Sequence, residues 1–230
     1  MRRTRHSPED PRSRCETELP AEITSIRPQK KRSSRFSLYH NDSFIIGVSS
    51  DTLLHFNLER GVSITDQLFR EIASVEQKTS IREYLLRLLG RRDHSRQELY
   101  LKALRKGHPP SMIEEVLKHL ESKRYINDTL FAEKYAVDKA TLMNWGPNKI
   151  RAELKKKGIP DSISDQALKR AVEDLQQEKI CVDLALKRKD HFLREQDDRK
   201  RRQKIIAYLQ RRGLGYDTIR QALPEILNQL

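Results

Sequence analysis

The sequence predicts a mainly α-helical chain: three tandem three-helix repeats forming an elongated curved body, preceded by a small N-terminal β-hairpin and helix segment. Three observations predict it: a glycine that recurs after three basic helices, apolar residues at matched offsets around it, and dense helix-start signals from Ser80 onward. Gly107 follows Leu104-Arg105-Lys106, Gly158 follows Lys155-Lys156-Lys157, and Gly213 follows Gln210-Arg211-Arg212. Eight residues before each glycine stands Leu99, Ile150 or Ile205, and four before it Ala103, Leu154 or Leu209. Nine and ten after it come Val116-Leu117, Ala167-Leu168 and Ala222-Leu223. Six after it the copies carry Ile113, Ser164 and Ile219, so the middle copy departs there, and Ile163 is the candidate replacement. The glycines lie 51 and then 55 residues apart, which suits three-helix units better than two-helix arrays of about 34 residues. Each unit reads as a helix with a basic C-terminus, a left-handed glycine that needs no Cβ, and a returning helix. A further helix precedes each pair, near 80–90, 128–143 and 176–195.

Residues 1–32 mix arginine, serine, proline and acids with few apolar residues and read as a disordered basic tail. The segment 33–78 opens with Phe36 and Leu38 alternating with polar residues, then the turn cluster His40-Asn41-Asp42-Ser43 and the run Phe44 to Val48, which together read as a hairpin. After Gly61, Thr65 and Asp66 can start a helix carrying Leu68, Phe69 and Ile72. A lone hairpin is marginal in water and must pack on that helix or on the next domain. The repeats are placed at 79–126, 127–175 and 176–230. Ser80-Ile81-Arg82-Glu83, Ser95-Arg96-Gln97-Glu98 and Ser111-Met112-Ile113-Glu114 have the spacing of capping boxes. Gly146-Pro147 places proline in a first turn that needs no donor, Asp217 can cap the last helix, and Asn127 and Asp128 read as caps.

Charge points to the partner. The chain of 230 residues carries a formal net charge of +13, which favours a polyanionic surface. Two isolated cysteines, Cys15 and Cys181, supply neither a metal framework nor an expected disulfide, and point to a reducing compartment. No apolar run approaches a membrane span and no apolar stretch follows the first arginines, so a cytoplasmic protein without a membrane partner is expected. The seven histidines form no metal spacing, no phosphate-binding glycine loop is present, and neither metal nor cofactor is expected. Asp93-His94-Ser95 resembles a triad only as a string, since triad members meet in space, and Ser95 already serves as a cap. Phe131, Tyr135 and Trp145 read as core packing.

Several segments resemble the RecX family, bacterial regulators of the RecA recombinase. Arg92-Asp93-His94-Ser95-Arg96-Gln97-Glu98-Leu99 is similar to the family's R-x-x-S-x-x-E-L helix start. Tyr125-Ile126-Asn127-Asp128 with Phe131-Ala132 resembles its I-D-D-x-x-F/Y-A segment, with Asn127 in place of the first aspartate. Trp145-Gly146, Glu153-Leu154 and Lys157-Gly158-Ile159 continue the likeness, which ends in Arg212-Gly213-Leu214 and Ile219. His108 stands where the family has an aromatic or apolar residue. The resemblance spans about 80–225. It implies three tandem three-helix repeats, no enzymatic activity, and binding along the groove of a RecA–DNA filament. It further implies contact with single-stranded DNA through that filament, and inhibition of strand exchange, ATP turnover and coprotease function. A monomer is expected.

The surface residues expected to meet such a partner are Lys149, Arg151, Lys155, Lys156 and Lys157 around the seam of Ile150 and Leu154, and Lys200, Lys204 and Arg211 on the third repeat. The last three fall within about 40° on a helical projection. A different reading, direct nucleic-acid binding without a recombinase partner, rests on the charge alone. An enzyme such as a nuclease would rest on acids such as Asp128, Glu133 and Asp165, which lack paired metal spacing. Reversing Lys155 and Lys156 to glutamate should weaken filament binding more than reversing Lys30 and Lys31. Equal losses would move the contact to the tail.

Overall fold

The computed structural model describes residues 11–29, 32–172 and 176–230, which fall into two compact units. The tail expectation for residues 1–10, and Lys30 and Lys31, lie outside the described residues.

The first unit runs through Arg92 and includes Leu99–Lys123. The expected hairpin is present, yet it is part of a larger sheet. A 3₁₀ turn, Pro11–Arg14, precedes β1 (Ala21–Glu22) and β2 (Ser25–Gln29), so residues 11–29 are ordered rather than a loose tail. The antiparallel order is β2, then β3 (Arg32–His40), then β4 (Ser43–Ser49), while β1 pairs with β5 (Ser63–Ile64). The physical reason lies in the few apolar residues of that stretch: Ala21 and Ile23 stand two apart and are buried with Leu38, Ile45, Val48 and Ile64. They supply the extra strands that a hairpin needs to persist in water. Asn41 and Asp42, at φ 45° and 65°, form the left-handed turn that favours these residue types and sets Phe36 opposite Val48 and Leu38 opposite Ile46.

Helix α1 (Ser50–His55) is capped by the Ser49 hydroxyl. Helix α2 (Asp66–Leu89) starts at Thr65, whose side chain accepts the Leu68 N–H, and continues unbroken past Ser80. The Ser80 capping box is therefore unused. Ile72, Ala73, Ile81 and Leu85 are buried on both sides of it, and that continuous apolar face keeps one helix intact. Glu76 locks α2 to the sheet by accepting the Ser49 N–H at 2.7 Å and pairing with Arg35 at 2.7 Å. Helices α3 (Arg96–Arg105) and α4 (Pro110–Ser122) complete the first repeat. The expected cap at Ser111 is displaced by Pro109 and Pro110, whose fixed φ starts α4 with no side-chain cap.

The second unit comprises Asp93–Glu98 and everything from Arg124. The second repeat contains α5 (Asp128–Met143), α6 (Pro147–Lys156) and α7 (Asp161–Val172). The third contains α8 (Gln177–Leu186), α9 (Lys189–Leu193), α10 (Asp198–Arg211) and α11 (Tyr216–Gln229). The expected helix over 176–195 is thus two pieces. Gly215, not Asp217, is the N-cap of α11. Neither is a large departure, because the buried faces hold: Leu99, Ile150 and Ile205 are all fully buried, as are Ala103, Leu154 and Leu209.

The three glycine turns match bond for bond. Gly107, Gly158 and Gly213 have φ of 92°, 78° and 91°. The next N–H in each case reaches back five residues, His108 to Ala103, Ile159 to Leu154 and Leu214 to Leu209. This is the pairing of a glycine-terminated helix end. Ile159 and Leu214 then bury their side chains, whereas His108 lies beside Tyr84, with ring centroids 6.1 Å apart. Burial first, and the Lys106 charge second, lower the His108 pKa, so its neutral ring fills the apolar place.

Ser164 occupies the middle copy's buried position itself, with a hydroxyl that has no hydrogen-bond partner, while Ile163 packs at the edge of the same core. Two substitutions in this repeat should therefore act in opposite directions in urea unfolding. Leu154→Ala should cost about 2–5 kcal/mol through its cavity. Ser164→Ala should gain about 1 kcal/mol by removing an unsatisfied buried hydroxyl.

Candidate polyanion-binding surface

The second helices of repeats two and three carry the eight cations expected at the surface, and the structure divides them. Arg151 bonds Asp165 through Nε at 3.0 Å and Nη2 at 2.6 Å. Lys156 pairs with Glu153 at 2.7 Å, Lys157 with Glu98 at 2.6 Å and Lys204 with Glu195 at 2.6 Å. The Lys204 hydrogen bond, followed by the Asp197 N–H, holds the Glu195 carboxyl below its ordinary range. Lys149 stands 4.1 Å from the Trp145 ring centroid. Lys155, Lys200 and Arg211 are exposed and form no close ion pair among the described residues, although the Lys200 charge helps to lower the Glu195 pKa. Four carboxylates thus stand among the expected cations. Sequence spacing along one helix cannot reveal Asp165 or Glu98, which come from other elements.

Two further sets of cations belong to this surface. Arg199 and Arg202 are exposed on α10, inside a run of basic residues that the sequence itself displays. Lys139 on α5 lies 5.3 Å from the Tyr135 ring and 5.4 Å from the Trp145 ring. It escapes a reading confined to the second helices. Phe131 is buried, and Tyr135 and Trp145 pack half-exposed against the same core.

What positions these residues is a junction repeated within the second unit. Ser95 and Gly146 each stand twelve residues before their repeat's glycine, and each is the residue preceding a second helix. The Ser95 hydroxyl donates to the Lys157 carbonyl at 2.7 Å, and the Gly146 N–H donates to the Arg212 carbonyl at 2.8 Å. One helix start therefore satisfies a carbonyl at the next repeat's helix end, where four carbonyls lack partners inside the helix. Ser95 also accepts the Glu98 N–H at 3.1 Å while its own N–H donates to Glu98, which is the expected capping box. The buried Ser95 is thus a cap and a clamp. Asn127 caps its own helix through the Leu130 N–H, and Asp128 accepts the Arg96 N–H at 2.8 Å, capping α3 from another element.

The second junction demands bare backbone. A Cβ on Gly213 would fall 2.3 Å from the Lys149 Cβ, and one on Gly146 would fall 2.3 Å from the Gly213 carbonyl carbon. The contact brings Lys149 to the end of α10 that carries Arg211 and Arg212. Among the described residues, no group of three or more histidine, cysteine, aspartate or glutamate side chains could hold a metal ion, and no helix is long and apolar enough to cross a membrane.

The profile described as "RecX, second three-helix domain" matches residues 127–168, the first three-helix domain matches 82–120, and the third matches 176–223. That of the regulatory protein RecX N-terminal domain matches 21–65. Regulatory protein RecX of Clostridioides difficile (strain 630) is 31% identical over 206 residues, covering 90% of this chain and 96% of the relative. The chain belongs to the RecX family. A further RecX regulatory protein, from Prosthecochloris aestuarii, is 38% identical over 139 residues, which cover 60% of this chain and 88% of that protein. A crystal structure of regulatory protein RecX matches with a TM-score of 0.73 at 26% identity, over 89% of this chain and 99% of that one. A second, of RecX from Lactobacillus salivarius, matches with a TM-score of 0.58 at 26% identity, over 66% of this chain and 97% of that one.

The RecX profile boundaries agree with the junctions. Each three-helix match encloses one glycine turn, and the RecX N-terminal match encloses the β-sheet described above. This chain is thus a RecX-family regulator built from units whose second helices end at a glycine turn. The close approach at Gly213 can be separated from its backbone strain. Gly61 has φ 92° and open space around its Cβ position. Gly61→Ala should cost about 1–2 kcal/mol for the left-handed conformation alone. Gly213→Ala should cost clearly more, read by chemical denaturation of the full chain.

Proposed function

We propose that this chain binds the RecA–DNA filament and inhibits its recombinase, ATPase and coprotease activities, acting by occupancy and not by catalysis. The observation that supports this reading is the exposed cation two residues before each glycine, Arg105, Lys156 and Arg211, at equivalent places in the three repeats of a RecX-family chain, the middle one sharing its charge with Glu153. A polymer of repeating protein and phosphate groups is matched by a ligand that repeats its own charge. Helix C-termini are suited to the task, since a cation there also complements the negative helix end. Where Arg151, Lys156, Lys157 and Lys204 are tied to carboxylates, the cations left over are Lys155, Lys200 and Arg211, joined by Arg199 and Arg202.

A net charge of +13 would serve equally in a nucleic-acid-binding protein with no recombinase partner. The two readings separate in one experiment. Titrating the purified chain into RecA turning over ATP on single-stranded DNA should suppress hydrolysis at or below one chain per recombinase. The Lys200→Glu/Arg211→Glu variant should need about tenfold more protein, since each lost phosphate contact also flattens the salt dependence by about 0.7 in log–log slope. Undiminished hydrolysis at saturating wild-type protein rejects the reading. Equal affinity for naked DNA and for filament would favour the direct binder.

A further inference from the structure

The second repeat holds a row of rings and ammonium groups. Phe131 and Tyr135 stack with centroids 5.8 Å apart and planes 24° apart. Lys157 lies 5.9 Å from the first ring and 5.2 Å from the second. Lys139 lies 5.3 Å from Tyr135 and 5.4 Å from Trp145, and Lys149 lies 4.1 Å from Trp145. Lys157 thus stands beside the stacked Phe131–Tyr135 pair, and the row continues from Tyr135 through Lys139 and Trp145 to Lys149.

The backbone fixes this row. Asn144 ends α5 in the left-handed conformation at φ 50°, and the Trp145 N–H donates to the Lys139 carbonyl at 3.0 Å. Lys149 is held on the far side, where its Cβ packs on Gly213. The two ends differ electrostatically. Lys157 is neutralised by Glu98 at 2.6 Å, which closes the row there. Lys139 and Lys149 have no carboxylate partner among the described residues, although carboxylates elsewhere in the same unit take Arg151, Lys156, Arg170 and Lys204. Two half-exposed cations stand on half-exposed rings and lack a counter-ion.

We infer that the open end of this row, from Tyr135 through Lys139 and Trp145 to Lys149, is a seat for a single strand of DNA. Lys139 and Lys149 take successive phosphates, and as Lys149 swings from the Trp145 indole to its phosphate a base lies on the face it leaves. A ring held by cations attracts an anion-bearing strand, and stacking on it is indifferent to which base is offered. A duplex would not fit this chemistry, because its bases are already stacked and hidden. The inference deepens the proposed function by naming the surface that reaches the strand within the filament.

Trp145 is the sole tryptophan of the chain, so its fluorescence reads the seat directly. The full chain, without recombinase, is titrated with oligo-dT of about 20 nucleotides between about 50 and 200 mM salt. Saturable quenching is expected. Lys139→Ala/Lys149→Ala, which keeps the Lys149 Cβ and the indole, should lose about tenfold in affinity and about 1.4 in salt slope. Circular dichroism and the urea midpoint of the variant check that it is folded. Binding of a labelled oligomer with unchanged Trp145 emission, or no binding at all, overturns the seat. So does displacement of the oligomer by polyglutamate at equal charge, which would point to an acidic protein instead. Quenching without suppression of the filament ATPase rejects the proposed function and keeps the seat, while suppression without quenching does the reverse.

Discussion

A hydrogen bond from the start of one helix to the end of another organises the repeat body. Helix ends leave carbonyls without partners, and burying them unpaired is costly. Here the left-handed glycine satisfies part of that need within its own turn, through the bond from the following residue to the one five back. The residue preceding the neighbouring second helix supplies the rest, Ser95 for Lys157 and Gly146 for Arg212. Two chemically different donors, a hydroxyl and a backbone amide, perform the same act at the same offset. The common requirement is close approach, and at Gly146 and Gly213 it excludes any side chain from both partners.

The second helix of the third repeat starts differently. Position 201, equivalent to Ser95 and Gly146, lies inside α10 and not before it. The helix starts a turn earlier, at Asp197, whose carboxylate accepts the Arg199 and Lys200 N–H groups. Arg201 folds back to the Glu195 carbonyl and Asp198. The third unit thus satisfies its own helix start with acidic side chains. The earlier start also carries Arg199, Lys200 and Arg202 into solvent, so it adds charge to the surface of this unit.

The repeats were legible because one constraint writes several residues at fixed offsets: the glycine, the apolar positions before it, and the returning pair after it. The apolar positions are buried in every copy except Leu223, which is only partly covered. Ser164 shows the limit, since a polar residue at a core position is invisible to a search for apolar ones. The N-terminal strands were less legible because they bury only Ala21 and Ile23 within a long polar stretch, and strand order depends on pairing over distance. Ser80 carried a valid cap signal that a continuous buried face overrode. For the surface, residue type was readable and pairing was not. Nothing near Lys157 in sequence announces Glu98, which lies in another repeat.

That pairing changes what the basic composition means. Lys157 heads toward the interior, against Glu98 and two rings, and its charge serves the junction. Lys155, two residues earlier, serves no internal contact. Lysines that differ little in sequence therefore belong to different physical systems, one holding the repeats together and one facing outward. A cation that already has a carboxylate must surrender it before meeting a phosphate, whereas one resting on a ring or in water loses much less. The groups most ready to exchange partners are then Lys139, Lys149, Lys155, Lys200 and Arg211. Three of these, Lys139, Lys149 and Arg211, belong to elements joined at the Gly146–Gly213 contact, where the geometry of the outer charges is set by the same backbone approach that holds repeats two and three together.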